Sequence, residues 1–299
     1  MAVIIDAHQH FWVYGTYQTS WMEKPPYARD PAFEPLRRSF SPTDLEPHLQ
    51  TAGVHRTVLI QAADGPDENG ALLRYAQNHQ WIAGVVGWVP LDRPGEAASV
   101  LDTFAREPLF VGVRHLINVE PDPDWIVRKP VLESLALLAE QGLCFDLVAI
   151  LPRHLEHVPT IAAAVPDLRL IIDHLGKPPI AAREWEPWAS LIARAAEAPN
   201  VFAKLSGLDT AAGAGWTANN LWRYVNHART LFGADRLMWG SDWPVSILGG
   251  GYAHVWQNMN RVFDRFAPLE RDQVLGLTAT RVYRLAGVGN RGRADPKLP

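Results

Sequence analysis

The N-terminal stretch Val3-Ile4-Ile5-Asp6-Ala7-His8-Gln9-His10-Phe11-Trp12 indicates both the fold of the chain and the place of its chemistry. The apolar run from Val3 to Ile5 is typical of a fully buried strand in a parallel sheet. Residues two apart on a strand point to the same side, so the imidazoles of His8 and His10 face one way at its end. Such a pair can bind a metal, polarise a carbonyl or move a proton, and a hydrogen-bonded structural pair is the alternative.

A second apolar stretch near the other end of the chain favours a functional role for the two histidines. Leu237-Met238-Trp239-Gly240-Ser241-Asp242-Trp243-Pro244 has the pattern of another buried strand, and this one ends in an acid. Between the two stretches, apolar segments alternate with segments of helical period. The strands after the first are predicted over residues 57–62, 82–89, 110–116, 143–150, 168–174, 201–206 and 236–241. A helix follows each strand, among them one over residues 184–197, and two helices, over 252–266 and 270–286, close the chain.

Eight strand–helix units in a chain of 299 residues predict the α/β class and a (β/α)8 TIM barrel. A doubly wound open sheet is the alternative, but no glycine-rich phosphate fingerprint follows any strand. We expect a single barrel domain over residues 1–288 and a disordered tail over 289–299. The segment 13–40 after the first strand is rich in Tyr, Trp, Pro and Arg, and loops of this length tend to be functional lids.

Composition excludes several classes of partner. The net charge is −4 and the chain has no basic patch, so we expect no nucleic-acid partner. The single cysteine, Cys144, cannot form an internal disulfide, which favours a reduced, cytoplasmic location. No stretch approaches the length of a membrane span, and the first strand begins too early to leave room for a signal peptide. The sequence is compatible with a homo-oligomer and does not indicate the number of subunits.

Polar residues stand at the end of nearly every predicted strand, where a barrel of this kind builds its active site. In chain order they are His8 and His10, Gln61, Trp88, Arg114 and His115, Asp146, Asp173 and His174, Lys204 and Ser206, and Asp242. Single members have structural alternatives: Arg114 as a salt-bridged rim residue, Lys204 extending out of the barrel, or Asp146 bonded at mid-strand. Burying so many polar groups without partners would be costly, so the whole set predicts a catalytic site.

Several motifs carry a family resemblance over essentially the whole chain. They are Asp6-Ala7-His8-Gln9-His10, Ile171-Ile172-Asp173-His174-Leu175-Gly176-Lys177-Pro178, Gly240-Ser241-Asp242-Trp243-Pro244 and the ending Thr278-Ala279-Thr280-Arg281-Val282-Tyr283-Arg284-Leu285. Together they resemble the amidohydrolase superfamily, in its amidohydrolase 2 branch of lactonases and related decarboxylases. Within that branch, His8-Gln9-His10-Phe11-Trp12, Gly112-Val113-Arg114-His115 and Lys204-Leu205-Ser206-Gly207 are most similar to sugar lactonases of the L-fuconolactonase and L-rhamnonolactonase type.

The resemblance implies a choice of cofactor. Many metal-dependent members carry Lys or Glu at the end of strand four, or His at the end of strand five. Here strand four ends in Arg114-His115 and strand five offers Asp146, so the full ligand set of a two-metal site is missing. Some lactonases of the branch work without metal and others use one zinc. We therefore expect either no required cofactor or one divalent cation, zinc, with His8, His10, His174 and Asp242 as ligands.

The expected function is hydrolysis of a sugar lactone to the free acid. Ester hydrolysis needs a base for water, stabilisation of the carbonyl oxygen and a proton for the leaving alkoxide. Asp242 is expected to be the general base and then to return the proton to the alkoxide. The oxyanion would be stabilised by His174, His10 and Arg114, directly or through a bound cation, and His8 would complete the cluster.

Six further residues are expected to bind the substrate. Trp12, Trp88 and Trp243 would offer flat faces to a sugar ring, and Gln61, His115 and Lys204 would bond to its hydroxyls. A neutral lactone is favoured over a dicarboxylate because tandem arginines on a polar loop, such as Arg29, Arg37 and Arg38, are more often solvated than catalytic. The alternatives are a metal-dependent decarboxylase of the same branch, acting on an aromatic or unsaturated acid, and a sugar-binding barrel without catalysis. The decarboxylase would need a further histidine on strand five, which the chain lacks.

Overall fold

Eight parallel strands run side by side in chain order in the computed structural model, which describes residues 3–24, 27–28, 30–104 and 106–286. The strands of the described chain are β1 (Ile5–Gln9), β2 (Arg56–Ile60), β3 (Ile82–Gly87), β4 (Phe110–His115), β5 (Cys144–Leu147), β6 (Arg169–Ile172), β7 (Val201–Leu205) and β8 (Leu237–Trp239). β8 packs against β1, and a parallel bridge between Gln9 and Trp243 joins their ends. The predicted (β/α)8 barrel is confirmed.

Helices surround the sheet in the described residues. They are α1 (Pro42–Ala52), α2 (Glu68–Asn78), α3 (Pro94–Phe104), α4 (Lys129–Glu140), α5 (Pro152–Ala164), α6 (Trp188–Ala196), α7 (Leu208–Ala212), α8 (Ala218–Phe232), α9 (Tyr252–Phe263), α10 (Pro268–Asp272) and α11 (Thr278–Val282). α1 begins at Ser41, whose backbone N–H donates to the Asp44 carboxylate over 2.9 Å, and it ends at Gly53 in the left-handed conformation. Among the described residues, no helix is both long and apolar enough to cross a membrane.

The bounds of several elements differ from the sequence prediction. β5 ends at Leu147 instead of residue 150, because Val148 to Ile150 turn away to line a cavity. The helix predicted over 184–197 begins only at Trp188. The closing helix predicted over 270–286 consists of α10, a π-helical turn over Gln273–Leu277, and α11. The predicted tail, 289–299, lies outside the described residues, as do the last two residues of the predicted domain.

The barrel interior changes from apolar to charged along its axis. An apolar cluster includes Ile5, Val58 and Phe202, and α11 packs against it with Tyr283. The charged side chain of Lys204 is fully buried two residues after Phe202 on β7, and that of Asp146 is fully buried two residues after Cys144 on β5. This arrangement leaves the carboxyl ends of the strands as the place where polar side chains meet a cavity.

The long segment after β1 is a structured loop over its described residues. Backbone hydrogen bonds between Trp12 and Phe40 close its two ends over 2.9 and 3.2 Å. Two 3-10 helices lie within it, Tyr17–Glu23 and Pro31–Leu36. The buried Glu68 of α2 holds the first of them by accepting hydrogen bonds from the Tyr17 hydroxyl (3.0 Å) and the Gln18 amide (2.8 Å).

Candidate active site

Two buried histidines at the end of β1 face each other, with their Nε2 atoms 3.1 Å apart. His10 Nδ1 lies 3.0 Å from the Ile60 carbonyl oxygen, which can only accept, so Nδ1 carries a proton, and in the neutral ring Nε2 presents a lone pair. His8 Nδ1 lies 3.0 Å from Lys204 Nζ and 3.3 Å from Asp173 Oδ1. His8 can therefore accept from the ammonium or donate to the carboxylate, depending on its tautomer.

Asp242 is fixed beside the histidines by the joint between β8 and β1. Its backbone is left-handed (φ 56°), and its N–H donates to the His8 carbonyl over 2.8 Å. Its Oδ1 lies 3.4 Å from His10 Nε2 and 3.6 Å from His8 Nε2, and its Oδ2 lies 4.0 Å from His174 Nε2. Burial acts to raise the pKa of this carboxyl, but the neighbouring His174, His10 and His8 together hold the pKa well below its ordinary value. Asp242 is therefore ionised at neutral pH.

Asp6 connects the end of β1 to the segment that follows β8. Its Oδ1 accepts the backbone N–H groups of His8 (3.2 Å) and Ser241 (2.8 Å), and its Oδ2 accepts the Tyr252 hydroxyl (3.1 Å). One carboxylate thus joins the strand that carries the histidines to the segment that carries Asp242.

His174 follows β6 on a turn of unusual backbone. Four consecutive residues from His174 to Lys177 have positive φ, at 55°, 51°, 67° and 52°. His174 Nδ1 lies 2.9 Å from Ser206 Oγ. Burial lowers the pKa of His174 to about 4, with Lys177 and Arg114 acting in the same direction and Asp242 and Asp173 opposing it. The ring is therefore neutral at physiological pH.

Arg114 brings a positive charge to the same point from β4. Its guanidinium donates to the Gln61 carbonyl over 2.8 Å and lies 3.3 Å from Asp173 Oδ2 and 3.4 Å from His8 Nε2. Its Nε has no hydrogen-bond partner among the described residues. The guanidinium is therefore held beside the imidazoles without being fully paired.

A buried charge network lies beneath the imidazoles. The Lys204 ammonium lies 2.5 Å from Asp146 Oδ2 and 3.1 Å from Asp173 Oδ1. The Tyr283 hydroxyl donates to Asp146 over 2.8 Å. Burial acts to raise the pKa of Asp173, but Lys204 and His8 hold it well below its ordinary value. Two carboxylates and a lysine therefore form a paired support under His8.

The predicted catalytic side chains open into a cavity of about 350 Å³. His10, Arg114, His174 and Asp242 lie at its base. Its walls are aromatic and apolar, with Trp12, Trp21, Tyr27 and Phe33 from the segment after β1, and Leu116, Val119, Val148, Ile150, Val245 and Leu248 from other loops. Lys177, Thr210 and Asn118 are the further polar residues of the lining. A cavity of this size and character suits one small ring compound.

Comparisons with known proteins show the family of the chain. A model of the amidohydrolase family matches residues 5–285. The chain belongs to the amidohydrolase family. It is 40% identical to an L-fucono-1,5-lactonase of Burkholderia ambifaria, covering 95% of this chain and 97% of the relative. It is 32% identical to an L-fucono-1,5-lactonase of Burkholderia multivorans, with the same coverage of 95% and 97%. A crystal structure of an amidohydrolase from Burkholderia multivorans with bound zinc has a TM-score of 0.85 and 32% identity, over 95% of this chain and 100% of that one.

The amidohydrolase brings together the residues that the sequence predicted as catalytic. His8, His10, Arg114, His174 and Asp242 meet at one point, and all but His8 line the cavity. Trp12, predicted to contact substrate, also lines the cavity. Their catalytic roles stay predictions.

The other five predicted substrate-binding residues do not line the cavity, and each has a partner elsewhere. Lys204 lies in the buried network, and the Gln61 amide donates to the Arg114 carbonyl over 3.3 Å. Trp88 donates its indole N–H to His115, which lies 2.8 Å from Glu120. Trp243 packs edge-on against Phe11 and Phe40. The structure therefore favours support of the site over contact with substrate for Gln61, Trp88, His115, Lys204 and Trp243.

Sequence reasoning missed several lining residues of this amidohydrolase. Lys177 stands within the motif that carries His174, which is a signal that could have found it. Thr210 lies on α7, a helix of five residues that is too short to give a periodic pattern. Trp21, Tyr27 and Phe33 belong to an irregular segment, where composition indicates a lid but not which side chains face inward.

The donor set fits one divalent cation better than two. One ligand atom each from His8, His10 and Asp242 lie within 4.8 Å of one another, and the lone pair of His10 Nε2 faces this group. The possible ligand atoms of a second group, His8, Asp173 and His174, also lie within 4.8 Å of one another. There the Lys204 ammonium already lies 3.0 Å from His8 and 3.1 Å from Asp173, so this group is compensated by the protein's own cation.

Proposed function

We propose that this amidohydrolase hydrolyses the ester ring of a neutral sugar lactone, an aldonolactone, to the free acid. The observation that carries the proposal is Asp242, an ionised carboxylate that faces the cavity beside neutral imidazoles and the Arg114 guanidinium. A base next to donors for an oxyanion is the arrangement that ester hydrolysis needs. Two relatives that match the chain along almost its whole length are L-fucono-1,5-lactonases, in agreement with the predicted enzyme class.

In the proposed reaction, Asp242 takes a proton from water, and the water oxygen bonds to the lactone carbonyl carbon. The carbonyl oxygen becomes an oxyanion, which Arg114 and His174 stabilise. The ring C–O bond then breaks, and Asp242 returns its proton to the leaving alkoxide, which restores the carboxylate. All atoms and charges balance over one turnover.

The tautomer of His10 changes the role that we propose for this residue. Because Nδ1 donates to the Ile60 carbonyl, the neutral ring has no N–H at Nε2 with which to bind an oxyanion directly. His10 can instead orient Asp242 or act as a metal ligand. His8, His10 and Asp242, with His174 at longer range, are the residues that would hold one divalent cation. Such a cation would supply Lewis-acid polarisation of the carbonyl.

Two arginines of the segment after β1 are already paired within the protein. Arg37 is paired with Glu23 and Glu34, and Arg38 with Asp44, so neither is free for a substrate carboxylate. Arg29, also considered for that role, lies outside the described residues. The cavity walls away from the catalytic residues are mostly aromatic and aliphatic. These features fit a ring with an apolar face better than a dicarboxylate.

The decarboxylase alternative gains no support from the site. Strand five contributes Asp146, which is paired with Lys204, instead of a further imidazole. A cytoplasmic location and a homo-oligomer stay predictions.

The test is a panel of 1,4- and 1,5-aldonolactones, dicarboxylate lactones and carboxylated aromatics, with acid release followed by a pH indicator and carbon dioxide release measured in parallel. We expect acid release from neutral aldonolactones above the rate of spontaneous opening. Carbon dioxide release without lactone opening, or a clear preference for dicarboxylates in competition, would overturn the proposal.

A further inference from the structure

The left-handed turn after β6 places two side chains of the same cavity. A non-glycine residue in this conformation costs on the order of 1 kcal/mol, so the surroundings must hold a run that contains three of them. The Trp188 indole donates to the Leu175 carbonyl over 2.7 Å, and the side chain of Leu175 is fully buried. A Cβ on Gly176 would lie 2.7 Å from the Leu155 side chain, so glycine is needed there. As a result His174 and Lys177, the first and last residues of the turn, both line the cavity.

The Lys177 ammonium is oriented but not neutralised. It donates to Thr210 Oγ1 over 2.8 Å and lies 3.4 Å from the Gly207 carbonyl oxygen. Among the residues that the structure describes, no carboxylate oxygen lies within 4.0 Å of this ammonium. An ammonium group has three N–H donors, so one donor remains for a ligand.

The other cations near the site differ in this respect. Arg114 lies beside Asp173 and donates to a backbone carbonyl, and Lys204 is surrounded by Asp146 and Asp173. Thr210 Oγ1 donates to the Gly207 carbonyl over 3.0 Å and accepts from Lys177, which leaves one acceptor position on its oxygen. Lys177 and Thr210 together offer one donor and one acceptor.

We propose that Lys177 and Thr210 form a hydroxyl-binding subsite that determines the specificity of the enzyme for hydroxylated lactones. A sugar hydroxyl can accept from the ammonium and donate to the threonine oxygen at the same time. Apolar lining residues such as Val245, Leu248 and Phe33 offer no such pairing. A lactone without ring hydroxyls would leave the Lys177 ammonium and Thr210 Oγ1 without this partner. Unpaired polar groups of this kind let an enzyme discriminate strongly between hydroxylated and unhydroxylated substrates. The inference rests on the proposed lactonase function and names the group that selects its substrate.

The test compares Lys177→Met and Thr210→Val with wild-type enzyme on the best 1,5-aldonolactone of the panel and on δ-valerolactone, which has the same six-membered ring without hydroxyls. Lys129→Met is the control, because Lys129 is a surface lysine of α4 with 89% of its side chain exposed. We expect Lys177→Met to lower kcat/KM for the aldonolactone by about tenfold to a hundredfold, mainly through KM, and to change the value for δ-valerolactone less than about threefold. Thr210→Val should act in the same direction with a smaller effect.

A second readout needs no turnover of δ-valerolactone. A 1,5-anhydroalditol has the hydroxylated ring without the carbonyl, and its inhibition constant should rise in Lys177→Met by the same factor as KM. Equal losses on both lactones, or an unchanged inhibition constant, would overturn the subsite while the lactonase function stands. Wild-type enzyme that opens no aldonolactone would instead overturn the proposed function, and the subsite with it.

Discussion

His8 and His10 face each other through Nε2 atoms that are 3.1 Å apart, and their other ring nitrogens have different partners. His10 Nδ1 donates to a carbonyl, whereas His8 Nδ1 lies between the Lys204 ammonium and the Asp173 carboxylate. When Lys204 donates, His8 carries its proton on Nε2 and can bond to His10. A cation held by both Nε2 atoms requires the other tautomer, with His8 Nδ1–H donating to Asp173. The protein can therefore satisfy this histidine pair with or without metal.

This relationship leads to a prediction about metal removal. We expect a chelator to strip most bound zinc, measured by elemental analysis, and to leave substantial lactonase activity, because Arg114 and His174 can stabilise the oxyanion directly. Complete loss of activity that one equivalent of zinc restores would show that a metal is the required electrophile.

Replacement of the proposed base tests the chemistry directly. Asp242→Asn keeps the size of the side chain but removes the basic group, so we expect turnover to fall by roughly 10²- to 10⁴-fold with the fold intact by circular dichroism. Asp264→Asn is the control, since Asp264 lies on the surface with 61% of its side chain exposed. A variant that keeps most of its turnover would exclude Asp242 as the base.

The buried charge network should matter mainly for stability. Lys204→Met leaves Asp146 and Asp173 buried without their cation, and we expect the free energy of unfolding to fall by about 3–5 kcal/mol. Lys129→Met removes an exposed lysine whose ion pair with Glu133 spans 3.8 Å, so it should change the free energy by less than about 0.5 kcal/mol. Urea unfolding measures both values, and equal small effects would mean that the network contributes little.

Asp209 predicts a dependence of stability on pH. Its carboxylate oxygens accept no hydrogen bond of normal geometry from the described residues, and burial, together with the nearby Asp242, raises its pKa from 3.8 to about 7. Because the pKa of Asp209 is higher in the folded protein, its protonation stabilises the fold fully below pH 3.8. This stabilisation is lost as the pH rises through about 7. Asp209→Asn stays neutral, so its stability relative to wild type should increase between about pH 5 and pH 8.5, by at most about 3 kcal/mol. Parallel urea unfolding curves at the two pH values, with no change in the difference, would contradict this.

Glu68 is expected to control the loop that carries the aromatic wall. Its carboxylate accepts from Tyr17, Gln18 and the Ala62 backbone N–H (2.8 Å), and a glutamine would leave one of these donors facing an NH₂ group. Glu68→Gln should therefore raise KM severalfold and speed limited proteolysis within residues 13–40. Glu23→Gln, on the same loop but 63% exposed, is the matched control, and indistinguishable proteolysis of the two variants would count against an anchoring role.

The sequence was sufficient to predict the barrel and the convergence of the candidate site residues, because both depend on periodic patterns. Apolar runs gave the strands, and residues at strand ends of a parallel barrel must converge, which brought His8, His174 and Asp242 together. The same reasoning does not predict how far along the barrel axis each side chain lies. Lys204 also follows an apolar run, but it lies low enough to pair with Asp146 instead of reaching the cavity.

The substrate-facing residues could be predicted least well. Lys177 reaches the cavity through a left-handed turn that contains three non-glycine residues, and such a backbone has no compositional signal. Trp21 and Tyr27 face inward because Glu68 and other distant residues hold their loop, which is a tertiary effect. Position along the chain alone could not separate these residues from solvated neighbours.

The bridge between Trp12 and Phe40 has a consequence for how such enzymes diversify. It closes the segment between these residues into an insertion with fixed ends, while the catalytic charges come from strand ends outside it. Changes of length or sequence inside the insertion would remodel the aromatic wall and leave the inherited chemistry in place. The aromatic wall is therefore a separable part of the substrate cavity, and a laboratory recombination of relatives that exchanges only this wall would place its crossover points at Trp12 and Phe40.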